Sequence, residues 1–138
     1  MIEIKNTAKG IIVKALSGFY YVDIGIEVLE CKARGIFKKN KVSPVIGDRV
    51  EVQLSGLTPV IIEVFSRKNI FVRPPVANIE QFIIVSALKD PEPNFSVIDK
   101  FLVNAEIRNV PILICFNKTD LADDITIKHI KRDRKSNV

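Results

Sequence analysis

The chain has 138 residues, 47% of them hydrophobic and 27% charged, and its formal net charge is +5. This composition excludes a disordered chain, and the length suits one domain or one small domain with part of another. No segment approaches the roughly 20 apolar residues of a membrane span, and the N-terminus lacks the apolar stretch of a secretory signal. We therefore expect a soluble, cytoplasmic protein with no membrane partner.

Metal-ligating residues are scarce in the sequence. Cys31 and Cys115 are the only cysteines and His129 is the only histidine. This set cannot supply a Cys/His zinc site with four ligands, so we expect no metal site. Both cysteines lie in apolar stretches, which predicts two buried free thiols.

The first 72 residues predict a small barrel. Five segments rich in β-branched and aromatic residues are separated by turn residues, and they predict short β-strands at residues 10–16, 19–24, 27–33, 49–54 and 60–65. Val50 and Val52 alternate with polar neighbours, so they should share one buried face. Five short strands without a helical period favour an OB-fold β-barrel, with an SH3-like barrel as the nearest alternative.

The remaining residues, 73–138, have a different pattern of apolar and polar residues. Arg73-Pro74-Pro75 predicts a stiff junction between the two modules. A continuous apolar run at residues 79–88 predicts a strand buried on both faces, residues 94–108 an amphipathic helix, and residues 112–116 a second strand. Strand, helix and strand belong to a parallel α/β sheet, but this partial α/β module is too small to cover its own faces and edges.

Asn117, Lys118 and Asp120 follow the second strand directly, in the pattern Asn-Lys-x-Asp. The carboxyl ends of parallel strands are where open α/β sheets bind ligands. The Asp120 carboxylate can accept two hydrogen bonds from guanine, which adenine cannot donate, and the methylene stem of Lys118 can lie along the base. The alternative is that Thr119 or Asp120 merely caps the helix that follows.

Five segments together carry a family resemblance. These are residues 14–22 (KALSGFYYV), 31–41 (CKARGIFKKNK), 44–50 (PVIGDRV), 69–81 (NIFVRPPVANIEQ) and 117–121 (NKTDL). In this order they resemble the ribosome small subunit-dependent GTPases, a circularly permuted GTPase family of ribosome biogenesis in which the base-reading loop precedes the phosphate loop.

The resemblance implies a GTPase that acts in late maturation of the small (30S) ribosomal subunit, with its OB domain on rRNA. It also implies GTP or GDP with Mg²⁺ as cofactors, and zinc in a C-terminal module of the family. No Gly-Lys-Ser/Thr sequence for phosphate binding occurs in the chain. We therefore expect an N-terminal fragment that hydrolyses no GTP by itself and binds guanine nucleotide weakly. The alternative is a freestanding OB-fold RNA-binding adaptor.

A basic cluster predicts the RNA contact. It consists of five cations within ten residues and contains no acid: Lys32, Arg34, Lys38, Lys39 and Lys41. The uneven charge of the chain, basic over residues 1–72, favours RNA as the polyanionic partner, ahead of a membrane and with no DNA expected. Phe19, Tyr21 and Phe37 are either stacking platforms for bases or part of the barrel core.

Overall fold

The computed structural model describes residues 6–134, without the side chains of Lys38 and residues 130–134. Contacts divide the chain into two compact units, Met1–Ile79 and Glu80–Val138. The boundary predicted between residues 72 and 73 stays a prediction.

The first unit is a closed five-stranded barrel. Its elements are β1 (Thr7–Leu16), β2 (Phe19–Asp23), β3 (Val28–Ala33), α1 (Ile36–Lys39), β4 (Arg49–Gln53) and β5 (Val60–Val64). The strands follow one another in the order β1-β2-β3-β5-β4, and β4 pairs with β1 to close the ring. All pairs are antiparallel except β3 with β5. This is the OB-fold arrangement, so the predicted barrel is confirmed. The single-turn helix α1 is too short to produce a periodic signal in the sequence.

The hairpin between β1 and β2 has a two-residue turn. Ser17 and Gly18 both have positive φ, 51° and 81°, as a type I′ turn requires. Leu16 therefore pairs with Phe19, and Lys14 pairs with Tyr21 two steps further from the turn. This register places a lysine beside an aromatic ring on the barrel surface.

The barrel core is built from alternating apolar residues of its strands. The fully buried members are Ile12, Val22, Cys31, Val50, Val52 and Ile61. Val50 and Val52 lie on one face of β4, as their alternation predicts. The thiol of Cys31 lies 3.5 Å from the carbonyl oxygen of Leu29, to which it donates.

A short hairpin continues the chain after the barrel. It consists of β6 (Ile70–Phe71) and β7 (Val76–Ala77), and residues 73–75 lie in its turn, inside the first unit. The Ala77 N–H donates to the Ile46 carbonyl oxygen at 2.8 Å, which holds the hairpin against the loop before β4. Asn78 donates from its side chain to the Gly47 carbonyl oxygen at 2.9 Å.

The second unit contains the predicted strand-helix-strand arrangement. Strands β8 (Phe82–Ala87) and β9 (Ile112–Asn117) pair in parallel, and α2 (Phe95–Ile107) connects them. The Asn94 side chain caps α2 by accepting from the Val97 N–H at 3.2 Å. A 3-10 turn (Thr119–Leu121) and α3 (Asp124–Arg134) follow β9. Over residues 6–134, no helix is long and apolar enough to cross a membrane.

The prediction that β8 is buried on both faces is wrong. Ile83 and Val85 are 54% and 64% exposed, because α2 packs on the opposite face, where the rings of Phe82 and Phe101 lie 5.6 Å apart. Cys115 pairs with Val85 and is exposed as well. The prediction of two buried thiols is therefore confirmed for Cys31 and wrong for Cys115.

Candidate guanine-recognition loop and nucleic-acid interface

The Asn-Lys-x-Asp sequence forms a tight loop at the carboxyl end of β9. Asn117 is the last residue of the strand, and its carbonyl oxygen accepts from the Leu88 N–H at 3.1 Å. Lys118 has a left-handed backbone, with φ 54° and ψ 37°, and Asp120 lies in the 3-10 turn that follows. A left-handed residue without a glycine's freedom reverses the chain sharply and is common at functional sites. All three side chains of the motif are exposed.

The side chain of Lys118 is held by the neighbouring loop. Its Nζ donates to the carbonyl oxygen of Asp90, which also has a positive φ of 48°. Asp90 follows β8, so this hydrogen bond joins the two loops at the carboxyl edge of the parallel strands. It fixes the direction of the methylene stem that would lie along a base.

Helix α3, which follows the loop, is capped by Asp123 and not by Thr119 or Asp120. The Asp123 carboxylate accepts from the Thr126 N–H at 2.7 Å, in the position of an N-cap of α3. Hydrogen bonds from Thr126 lower the pKa of Asp123. Capping therefore belongs to Asp123, and among the described residues the Asp120 carboxylate makes no hydrogen bond or ion pair. Asp120 is left available to a ligand.

The metal-ligating side chains of the described residues are not clustered. Between residues 6 and 134, no three His, Cys, Asp or Glu side chains lie close enough together to hold a metal ion.

The basic cluster is spread along the chain: Lys32 lies in β3, Arg34 directly follows that strand, Lys38 and Lys39 lie in α1, and Lys41 comes two residues after the helix. Lys32 and Arg34 are exposed and line a cleft of about 470 Å³ on the barrel. Lys39 and Lys41 are exposed but do not line this cleft, and the side chain of Lys38 lies outside the described part of the structure. Of the four cations whose side chains the structure describes, two therefore line the same cleft.

The three aromatic residues have different environments. Phe37 packs against the barrel core, as one of the two interpretations of the aromatics predicts. Phe19 and Tyr21 are half-buried, and the Nζ atoms of Lys32 and Lys14 lie 5.7 Å and 5.2 Å from their ring centroids. These distances are within the range of cation–π contacts.

Lys14 is a cation that the basic cluster did not include. It faces Tyr21 across the β1–β2 hairpin, and Tyr21 in turn donates its hydroxyl to Glu30 at 3.0 Å. This hydrogen bond raises the pKa of Tyr21. The position of Lys14 could have been predicted from the two-residue turn at Ser17-Gly18, because this turn fixes the register that places Lys14 opposite Tyr21.

Solved structures share this architecture. The structure of YloQ, described as a circularly permuted GTPase, matches with a TM-score of 0.74 and 34% identity over 98% of this chain and 50% of its own. YjeQ from Thermotoga maritima matches with a TM-score of 0.75 and 34% identity, over 94% of this chain and 48% of its own.

The sequence comparisons agree. A model of the RsgA N-terminal domain matches residues 9–62, and a model of the RsgA GTPase matches residues 64–137. The small ribosomal subunit biogenesis GTPase RsgA of Alkaliphilus metalliredigens is 43% identical over 83% of this chain, and that of Bacillus cereus is 46% identical over 84%. The chain spans about 40% of the length of these two relatives.

The closed barrel and the parallel strands of this chain match the fold of a solved structure described as a circularly permuted GTPase. The chain belongs to the RsgA family. The alternative of a freestanding RNA-binding adaptor has no support in these comparisons.

Proposed function

We propose that this chain supplies the guanine-recognition loop and an RNA-contacting barrel to a GTPase of small ribosomal subunit biogenesis. The relatives carry that activity in their names, and because the chain spans about 40% of their length, the activity belongs to the proposal. The observation that supports it best is the Asp120 carboxylate, which is exposed at the carboxyl edge of β8 and β9 and is not used as a helix cap. Such a role is cytoplasmic.

Guanine recognition rests on three side chains of one loop. The two oxygens of Asp120 accept from the N1–H and the exocyclic amine of guanine. Lys118, directed by the Asp90 carbonyl oxygen, presents its stem to the face of the base. Asn117, exposed at the end of β9, would hydrogen-bond the edge of the purine. GTP and GDP are the nucleotides that this loop would select.

RNA contact rests on the basic cluster. Lys32, Arg34, Lys39 and Lys41 are exposed, and with Lys38 they would neutralise phosphates of small-subunit rRNA. Each phosphate contact releases condensed counterions, so affinity should fall with salt at a slope of about 0.7 per contact for single strands.

A nucleotide titration followed by ¹⁵N–¹H NMR tests the guanine site. The 138-residue chain should bind GDP with a Kd in the roughly millimolar range, with shifts centred on residues 117–121, and should not respond to ADP. Asp120→Asn should lose GDP and gain xanthosine diphosphate, because an amide can donate to the C2 carbonyl that replaces the amine of guanine.

Asp124→Asn is the matched control, since Asp124 is an exposed acid four residues further along the chain. It should retain the preference for GDP. Equal responses to GDP and ADP, or an Asp120→Asn variant that still prefers GDP, would refute guanine recognition by this loop.

A further inference from the structure

We infer that the cleft on the barrel receives one unpaired nucleotide of an RNA strand, with the base on Phe19 and the phosphates at Lys32 and Arg34. The inference rests on the RNA contact proposed above and adds a specific subsite to it. It assigns roles to an aromatic ring and to a cavity that a purely ionic contact would not use.

The dimensions and walls of the cleft suit a nucleotide. Its volume is about 470 Å³, within the range of roughly 300–1,000 Å³ that small-molecule sites occupy. The β1–β2 turn at Ser17-Gly18 forms one wall, and Phe37 of α1 contributes another. No Asp or Glu is among the described residues that line the cleft, so its charge is wholly positive.

The Phe19 ring is accessible to a base. It is half-buried in β2 and lines the cleft, and the ammonium group of Lys32 lies 5.7 Å from the ring centroid. A cation–π contact at an exposed site is weaker than the stacking of a base on an aromatic ring. A base can therefore replace the ammonium group on the ring, which frees Lys32 to contact the phosphate of the same nucleotide.

The same ring excludes a duplex as the ligand. Bases within a duplex are stacked on one another and cannot lie flat on a ring that lines a cleft, whereas the bases of a single strand can. An acidic peptide would use Lys32 and Arg34 but gain little from Phe19. The contribution of the ring thus distinguishes an unpaired nucleotide from other polyanions.

Fluorescence anisotropy with a labelled oligouridylate of about ten nucleotides tests this site. Phe19→Leu should weaken binding roughly tenfold without changing the salt slope, since it removes a stacking surface and no charge. An abasic strand of equal length and charge should bind the unaltered chain as weakly as the oligouridylate binds Phe19→Leu. Phe65→Leu is the control, because the Phe65 ring also lies beneath a lysine, with the Lys9 Nζ at 5.5 Å, and does not line the cleft.

The outcomes separate the subsite from the general RNA contact. If Phe19→Leu binds as Phe65→Leu does, or if polyglutamate competes as well as RNA of equal charge, the nucleotide site is wrong while the ionic contact stands. If the unaltered chain binds no RNA, the proposed RNA contact itself fails. Should Phe19→Leu not fold, as judged by thermal melting, the abasic strand still decides, because equal binding of both strands would overturn the proposal.

Discussion

Asp48 and Arg67 form a bidentate ion pair, with Nε to Oδ1 and Nη2 to Oδ2 distances of 2.8 Å each. The Asp48 side chain is fully buried, and it also accepts from the Val45 N–H at 2.8 Å. Arg67 donates in addition to the Ser43 carbonyl oxygen at 2.9 Å. The pair therefore ties the loop before β4 to the segment that leaves the barrel after β5.

Loss of Arg67 should destabilise the barrel strongly. Arg67→Met leaves the buried Asp48 carboxylate without its charge partner, which typically costs about 3 kcal/mol. Urea unfolding followed by circular dichroism measures the effect. Lys68→Met is the matched control, because Lys68 is exposed and its hydrogen bond to the Asn78 side chain is donated by its backbone N–H. Equal midpoints for the two variants would contradict a structural role for the pair.

Gly47 should not tolerate a side chain. Its φ is +92°, and a Cβ there would collide with the carbonyl oxygen of Ala77. Gly47→Ala should therefore cost more than about 1 kcal/mol, since strain and steric conflict add. Gly35→Ala provides the contrast, because Gly35 has a helical φ of −58° and a Cβ added there would meet open space. Thermal melting of the two variants should give opposite or clearly unequal shifts; similar losses would refute the assigned conflict.

The two thiols should differ in reactivity. Cys115 is exposed on the open face of β8 and β9, whereas Cys31 is buried in the barrel. Iodoacetamide should modify Cys115 within minutes, and Cys31 only after denaturation, as mass spectrometry of the peptides would show. The Cys115→Ser variant leaves Cys31 as the remaining cysteine, so that its slow modification can be followed alone. Comparable rates at both positions in the native chain would mean that the barrel opens readily.

The Cys31 thiol should also make stability depend on alkaline pH. Burial, followed by the nearby charge of Glu30, raises the pKa of Cys31 to about 11, against roughly 8.5 in an unfolded chain. The folded state holds this proton more tightly, so the contribution is complete below pH of about 8.5 and is lost as pH rises towards the folded-state value. Unfolding free energies at a series of pH values should therefore decline more for the unaltered chain than for Cys31→Val. Parallel profiles would contradict the raised pKa.

Backbone protection should differ between the two units. Strand β4 is hydrogen-bonded on both sides within a closed barrel and carries the buried Val50 and Val52. Among the described residues β9 pairs only with β8, and its Leu113 is 44% exposed. Native-state hydrogen exchange should show strong protection in β4 and weaker protection in β9. Equal, strong protection in both strands would show that the second unit is as stable as the barrel.

The sequence predicted the parts of the fold that are determined locally. Alternation identified β4 and placed Val50 and Val52 in the core, because a strand with one buried face repeats every second residue. The position of Asn117 after an apolar run also located the candidate guanine-binding loop correctly at a strand end.

Features that depend on distant contacts were not predictable in the same way. The apolar run of β8 suggested burial on both faces, but its exposure depends on which faces other elements cover. Asp48 and Arg67 are separated by 19 positions, and no local pattern pairs them. Lys32 likewise becomes a neighbour of Phe19 only once β3 pairs with β2, and the cleft also needs α1 to supply Phe37.

The turn at Ser17-Gly18 places a constraint on chain length as well as on the residues that can occupy it. Because β2 alternates between the surface and the core, a register slip of one residue would move every side chain of the strand to the opposite face. A single inserted residue that slipped β2 against β1 would direct Tyr20 outwards and Phe19 inwards, and Lys14 would lose its position opposite Tyr21. Members of the family that keep this surface should therefore keep the number of turn residues, and residues that tolerate a positive φ at both positions.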